Sequence, residues 1–156
     1  MKNDSIQFRH AKQSDIPTLV ELNIDGDEKY RKINERMFAE FLCQELVIVA
    51  ERNEYMVGLL YWRPEFLGRS NQWYLKQISV RSDSRGQGIG LGLLQYFLNF
   101  AKQSHVEKVF CDIHNDNFPS LRNALKAGGL ISGMIEGVGN TKERDERVIV
   151  RFELNS

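Results

Sequence analysis

The sequence predicts an α/β fold: a single domain over residues 1–156 with a mixed, mostly antiparallel sheet around a central β-α-β unit. Three observations carry this. The chain is 42% hydrophobic and 27% charged over 156 residues, the balance and length of one folded globular domain. Its apolar period switches between two and 3.6 residues in the order β-α-α-β-β-β-α-β-α-β-β. In mid-chain a strand passes through a glycine-rich turn into a long amphipathic helix and returns as a strand, which is a β-α-β unit.

Ile6–His10 alternates apolar and polar side chains and reads as the first strand. Ser14 stands ready to cap a helix starting near Asp15, and Pro17 is tolerated in its first turn. Ile16, Leu19, Val20 and Asn23 fall on one side of that helix. Met37, Phe38, Phe41 and Leu42 form the apolar stripe of a second helix over Glu35–Gln44. Val47–Glu51 and Tyr55–Trp62 read as a hairpin turned at Arg52-Asn53-Glu54. Gly58 inside its second strand signals a bulge or a close backbone approach. Arg63–Gln72 is a loop, and Trp73–Val80 is a strand with an aromatic start.

The glycine-rich turn Arg85–Gly92 follows. Leu93, Leu94, Phe97, Leu98 and Ala101 then recur at helical spacing in a helix reaching about Ser104. Lys108–Ile113 is a strand, and Asn117–Ala127 is a helix closed by Gly128-Gly129. Leu130–Glu136 is a strand, Gly137–Glu146 a polar, charged loop, and Arg147–Leu154 the last strand. An exposed terminal strand pairs readily with a second copy. A homodimer is therefore expected through Arg147–Leu154, whose apolar residues are Val148, Val150 and Phe152.

Lys plus Arg equals Asp plus Glu, at 21 each, so no long-range field favours nucleic acid or an anionic membrane. No apolar run approaches a membrane span, and the polar start MKNDSIQFRH lacks the apolar core of a signal peptide. Cys43 and Cys111 are too few for a disulfide scaffold and read as reduced, mostly buried thiols, which suits a cytoplasmic protein. His10, His105 and His114 are scattered, none at ligand spacing with another His or Cys, so no metal is expected.

The turn Arg85-Gly86-Gln87-Gly88-Ile89-Gly90 is the most informative segment. It joins a strand to a helix N-terminus, where unpaired N–H groups and the dipole favour phosphate. Glycines let backbone approach an anion, and Arg85 adds a fixed positive charge. A P-loop needs Lys-Ser/Thr after its last glycine, and none follows here. A Gly-x-Gly-x-x-Gly fingerprint fails as well, because its third glycine falls on Leu91 or Leu93. Arg-x-x-Gly-x-Gly, as Arg85, Gly88 and Gly90, does fit.

This turn resembles the pyrophosphate loop of the GNAT acetyltransferase superfamily. Asn117-Phe-Pro-Ser120-Leu-Arg-Asn-Ala-Leu-Lys-Ala-Gly128 is similar to that family's later motif, most of all in the branch that acetylates protein N-termini and small amines. The resemblance covers nearly the whole chain in element order. It implies acetyl-CoA as co-substrate and a primary amine, on a small molecule or a protein N-terminus, as acceptor by direct attack. It also implies that Trp73–Val80 and Lys108–Ile113 are parallel and splay apart. The pantetheine arm would pair with backbone over Ile78, Ser79 and Val80. The pyrophosphate would rest on Arg85, Gly86, Gln87, Gly88, Ile89 and Gly90, and Asn117 and Ser120 would contact the arm.

The catalytic groups are not assigned by the sequence. Many relatives carry a tyrosine seven residues after the Asn, as general acid for the leaving thiolate; here Ala124 stands there, so Ala124→Tyr is expected to leave turnover unchanged or raise it. Lys76 and Gln77 stand where many relatives place a strand carboxylate. Tyr74, His114 and Ser120 are the candidates that remain, with Glu51 and Glu65 behind them. Each also has a plain structural reading: Tyr74 as a packing aromatic, His114 as a strand cap, Ser120 as a hold on the arm, Glu51 as a strand end and Glu65 as solvated charge. Cys111, in a buried strand, is a poor nucleophile. The missing groups leave a second function in play, a non-catalytic acyl-CoA-binding or sensing module. A third, nucleotide binding at the same turn, is opposed by the P-loop mismatch.

Overall fold

A computed structural model describes residues 4–137 and 146–155. The strands are β1 (Gln7–His10), β2 (Val47–Arg52), β3 (Tyr55–Arg63), β4 (Gln72–Val80), β5 (Lys108–His114), β6 (Leu130–Glu136) and β7 (Glu146–Glu153). The helices are α1 (Ile16–Ile24), α2 (Arg31–Cys43), α3 (Ile89–Gln103) and α4 (Phe118–Lys126). Their order is the expected one, and the sheet order is β1-β2-β3-β4-β5-β7-β6. Most of the expected charged loop, residues 138–145, lies outside the described residues. The chain forms two compact units, Met1–Trp62 with Lys76–Tyr96 and Arg63–Leu75 with Phe97–Ser156. Both β4 and α3 contribute residues to each.

In the first unit, β1 and β3 each pair antiparallel with β2. Asn53 (φ 51°) and Glu54 (φ 65°) are both left-handed, the conformation of a two-residue turn that matches the twist of a hairpin. Leu19, Val20, Ile24, Phe38 and Leu42 of the helices bury against Val47, Val49, Met56, Leu59 and Tyr61 of the strands. Gly58 meets both expectations. The register shifts between Ala50 and Glu51, directly beside it. A Cβ on Gly58 would lie 3.0 Å from Leu93 Cδ1 and 3.1 Å from Ser79 O.

Two boundaries differ from the sequence reading. Ser14 caps nothing: it lies inside a 3-10 turn, Gln13–Asp15, and Asp15 takes the cap position of α1. Helix α2 starts at Arg31, four residues early. Arg31 is held there by Glu28 at 2.6 Å and Glu21 at 2.6 Å. That first turn has no buried apolar residue to reveal it; Ile33 is 65% exposed.

In the second unit, β7 pairs antiparallel with β5 from His114↔Arg147 to Lys108↔Glu153, and with β6 on its other side. The last strand in sequence is therefore interior, and Val148, Val150 and Phe152 are buried. Its backbone groups are spent inside the sheet, so the expectation that a dimer forms through an exposed Arg147–Leu154 loses its physical ground. The parallel ladder of β4 with β5 runs from Gln72↔Lys108 to Tyr74↔Phe110, three of the nine residues of β4. Helix α4 ends as the two glycines predict. Gly128 has φ +92°, its N–H donates to Leu125 O (3.1 Å), and the Gly129 N–H donates to Ala124 O (2.9 Å), which is a Schellman motif.

Candidate active site

The end of β4 is anchored by Arg81. Its N–H donates to Val57 O at 2.8 Å and its Nε to Met56 O at 3.0 Å. Its guanidinium lies over the Tyr55 ring at 4.4 Å. Successive amides of an extended strand point to alternate sides. With the Arg81 amide turned toward β3, those of Val80 and Ile78 point away from it. These two residues and Ser79 are partly exposed.

A 3-10 turn over Ser82–Ser84 follows, with Ser84 buried. Arg85 donates from Nε to Val80 O at 3.3 Å. Gly86 (φ +75°) and Gly88 (φ +78°) are left-handed, and a Cβ on either would meet nothing within 4 Å. Gln87 accepts a 2.6 Å bond at Oε1 from Arg52 Nη2. The Gly92 N–H donates to Gly88 O at 3.0 Å, so the amides ahead of it, from Ile89 to Leu91, precede the helical ladder. The Ile89 side chain is buried, which leaves its backbone as the part able to face a ligand. Gly92 has a different reason to be glycine: a Cβ there would sit 2.5 Å from the Phe8 ring.

In the second unit, Asn117 caps α4. Its side chain accepts from the Ser120 N–H at 3.3 Å, so these two predicted residues meet. Tyr74 belongs to an aromatic stack: its ring lies 5.6 Å from that of Phe66, which lies 4.5 Å from that of Phe110. His114 is exposed at the end of β5, its carbonyl accepting from the Asn117 N–H at 3.0 Å. Glu65 is exposed. In the first unit Glu51 is engaged by Arg9 at 3.2 Å.

Ala124 is 2% exposed. A Cβ on Gly129 would already lie 2.8 Å from Ala124 O, 2.6 Å from Val150 Cγ1 and 3.0 Å from Phe152, so space is short where α4 ends. The expectation for Ala124→Tyr concerned turnover; burial at this position adds a cost in stability. Ala124→Tyr places a large ring at a buried position and is expected to lower stability by about 1–3 kcal/mol. Urea unfolding checks this, and an unchanged midpoint would mean the position opens outward.

The cysteines also divide. Cys43 is exposed, against expectation, and Cys111 is buried. Burial pushes the Cys111 thiol up to about 12, which leaves about one thiolate in ten thousand at pH 8. Iodoacetamide at pH 8 is expected to modify Cys43 fully while Cys111 reacts only after denaturation; mass spectrometry of native protein reads the difference. Among the described residues no three His, Cys, Asp or Glu side chains form a metal-binding group. Among the described residues no helix is long and apolar enough to cross a membrane.

Comparison with known proteins bears on this arrangement directly. None of the curated proteins compared with the sequence matches it. Among solved structures, the chain is similar to an N-acetyltransferase from Staphylococcus aureus Mu50, with TM-score 0.85, 18% identity, and 97% of this chain and 99% of that one covered. It is similar to the ribosomal-protein-alanine N-acetyltransferase of Brucella melitensis, with TM-score 0.81, 24% identity, and coverage of 94% and 99%. It is also similar to yncA from Salmonella typhimurium, a structure with its cofactor acetyl-CoA, with TM-score 0.85, 17% identity, and coverage of 98% and 95%. These likenesses establish a shared fold. The model of the acetyltransferase (GNAT) family matches residues 12–128, well over half of the chain and including the whole turn from Arg85 to Gly92. The chain belongs to the GNAT acetyltransferase family.

Proposed function

We propose that the protein transfers an acetyl group from acetyl-CoA to a primary amine, on a small molecule or a protein N-terminus, by direct attack. The observation that carries this is the Arg85–Gly90 turn: two left-handed glycines with open space around them, directly ahead of the first turn of α3. The space a Cβ would fill at Gly86 and Gly88 suits a pyrophosphate oxygen, and the amides of Gln87–Gly90 are the donors. Arg85 supplies charge at the same place. The Ile78 amide, turned away from β3 as that of Val80 is, suits the pantetheine arm. The family resemblance also assigns Asn117 and Ser120 to the arm; the Asn117 carbonyl oxygen is committed to the cap of α4, so its amide nitrogen and the Ser120 hydroxyl are the groups meant.

In the reaction the amine nitrogen forms a bond to the acetyl carbon, the carbon–sulfur bond breaks, and CoA leaves as thiolate while the amine proton passes to solvent. The Val80 amide is the donor for the developing oxyanion, because that of Arg81 is spent on Val57 O. A thiolate is a good leaving group without protonation, given the ordinary thiol pKa of about 8.5. That fits a chain with alanine at 124. Ser120 then holds the arm and moves no proton, since a hydroxyl is a poor acid near neutral pH. Ser120→Ala is accordingly expected to reduce kcat less than tenfold. A thousandfold loss at unchanged acetyl-CoA affinity would make Ser120 catalytic.

The test of the function is thiol release from acetyl-CoA across a panel of small primary amines and peptide N-termini. Release with at least one class is expected. Tight acetyl-CoA binding without release on any member would instead favour a non-catalytic acyl-CoA-binding module. Absence of acetyl-CoA binding would overturn both.

A further inference from the structure

The turn that receives the pyrophosphate in this reading has a mechanical problem. Gly86 and Gly88 have no side chain to anchor the turn, and the space a Cβ would enter at either is open to 4 Å. A loose glycine turn pays its ordering cost when the ligand binds. Among the described residues two side-chain bonds reach the segment from Arg85 to Gly88. One is local, from Arg85 Nε to Val80 O at 3.3 Å. The other comes from 35 residues away: Arg52 Nη2 donates to Gln87 Oε1 at 2.6 Å.

Arg52 is well placed to act as a fixed post. It is the last residue of β2, paired with Tyr55 across the two-residue turn Asn53-Glu54, so its backbone is set by the hairpin. Its side chain is partly buried. The Nε is shielded from solvent without a hydrogen-bond partner, and among the described residues the guanidinium forms no ion pair. Gln87, lying between the two left-handed glycines, is the group that holds this head in place, and the head in turn holds Gln87. The same hairpin grips the other side of the turn, through Met56 O and Val57 O to Arg81.

We propose that Arg52 is a positioning residue for the cofactor: by clamping Gln87 it holds the amides of Gln87–Gly90 converged before the anion arrives. The proposal rests on the reading of this turn as the pyrophosphate site. It assigns to the β2–β3 hairpin, which carries none of the family's motif residues in this chain, a share in acetyl-CoA affinity. Arg52 acts through Gln87 and not by touching phosphate.

The experiment is calorimetric binding of acetyl-CoA to the full chain, as wild type, Arg52→Met, Gln87→Met, the double variant and Arg52→Lys, with the Tm of each free protein recorded alongside. Arg52→Met and Gln87→Met are each expected to raise Kd about tenfold, with Tm of the free protein little changed. The double variant is expected to be no weaker than either single one, as for two residues acting through one bond. Arg52→Lys, which keeps a donor, is expected to recover part of the loss. Losses that multiply in the double variant would overturn the proposal, and so would unchanged affinity in Gln87→Met. A loss in Arg52→Met with none in Gln87→Met would mean direct phosphate contact instead. Should Arg52→Met fail to fold, Gln87→Met, at an exposed loop side chain, decides the question alone. Wild-type protein that does not bind acetyl-CoA removes the reading of the turn itself, and the proposal with it.

Discussion

Gly88→Val is expected to abolish the thermal stabilisation that acetyl-CoA gives the wild-type protein. A ligand that binds only the folded state stabilises it by about 2.7 kcal/mol at a hundredfold excess over its Kd, an effect easily read in a melting curve. Valine at 88 removes it in two ways. Its Cβ and two methyls enter the open space around Gly88, where nothing lies within 4 Å and where the pyrophosphate is proposed to rest. A β-branched residue is also strained at φ +78° by about 1–3 kcal/mol, so the turn relaxes away from the convergent shape its amides need. Strain alone would lower the Tm of the free protein, and a control separates the two effects. Gly26 has φ +86° and also nothing within 4 Å, but lies just after α1. Gly26→Val is expected to lower Tm comparably and keep the full acetyl-CoA shift. A shift that survives in Gly88→Val would rule out this turn as the pyrophosphate site.

The contrast between Gly88 and Gly92 shows how far the sequence could be read. Both belong to one glycine-rich run, and the pattern marks the run as a phosphate turn. Only the structure shows that Gly88 is open and left-handed while Gly92 makes room for Phe8, because that contact joins residues far apart in sequence. The order of elements was legible throughout, since apolar periodicity reports which face of each element is buried. It failed where burial does not set the boundary. The first turn of α2 is held by ion pairs of Arg31, and the start of α1 by a 3-10 turn around Asp15. It failed also where chain order and sheet order part: β7 is last in sequence and interior in the sheet. Ala124 could be identified by counting from Asn117, but only the structure shows that it is buried. The contact of Arg52 with Gln87 left no trace in the sequence, as it depends on the hairpin returning to the turn.

Asp15→Ala is expected to be among the most destabilising single changes outside the site, at about 2–4 kcal/mol. Asp15 takes two bonds from Arg9, Nη1 to Oδ2 at 2.8 Å and Nη2 to Oδ1 at 3.0 Å, and one from the Lys12 N–H at 2.8 Å. Arg9 sits on β1 and also reaches Glu51 on β2 at 3.2 Å, so the cluster ties the start of α1 to two strands. Removing the carboxylate leaves a part-buried guanidinium with only Glu51 and the His10 carbonyl, and takes the acceptor from the Lys12 amide. Breaking a buried pair costs about 3–5 kcal/mol, and the range expected here is lower because the Arg9 side chain is 30% exposed. Burial alone would push the Asp15 carboxyl up, but the bonds from Arg9 and the Lys12 amide outweigh it and hold the group below its ordinary value. A folded-state pKa below the unfolded one means the unfolded chain takes up the proton first. The contribution of Asp15 is therefore full above the unfolded value of about 3.9 and is lost as the pH falls through the lower, folded one. Asp15→Asn preserves an acceptor for the Lys12 amide and cannot titrate. Its stability deficit against wild type, measured by urea unfolding, is expected to be constant from pH 7 to about pH 5 and to shrink as the pH falls past the unfolded carboxylate value. A deficit that stays the same down to pH 3 would show that the charge on Asp15 contributes nothing and that its role is one of shape.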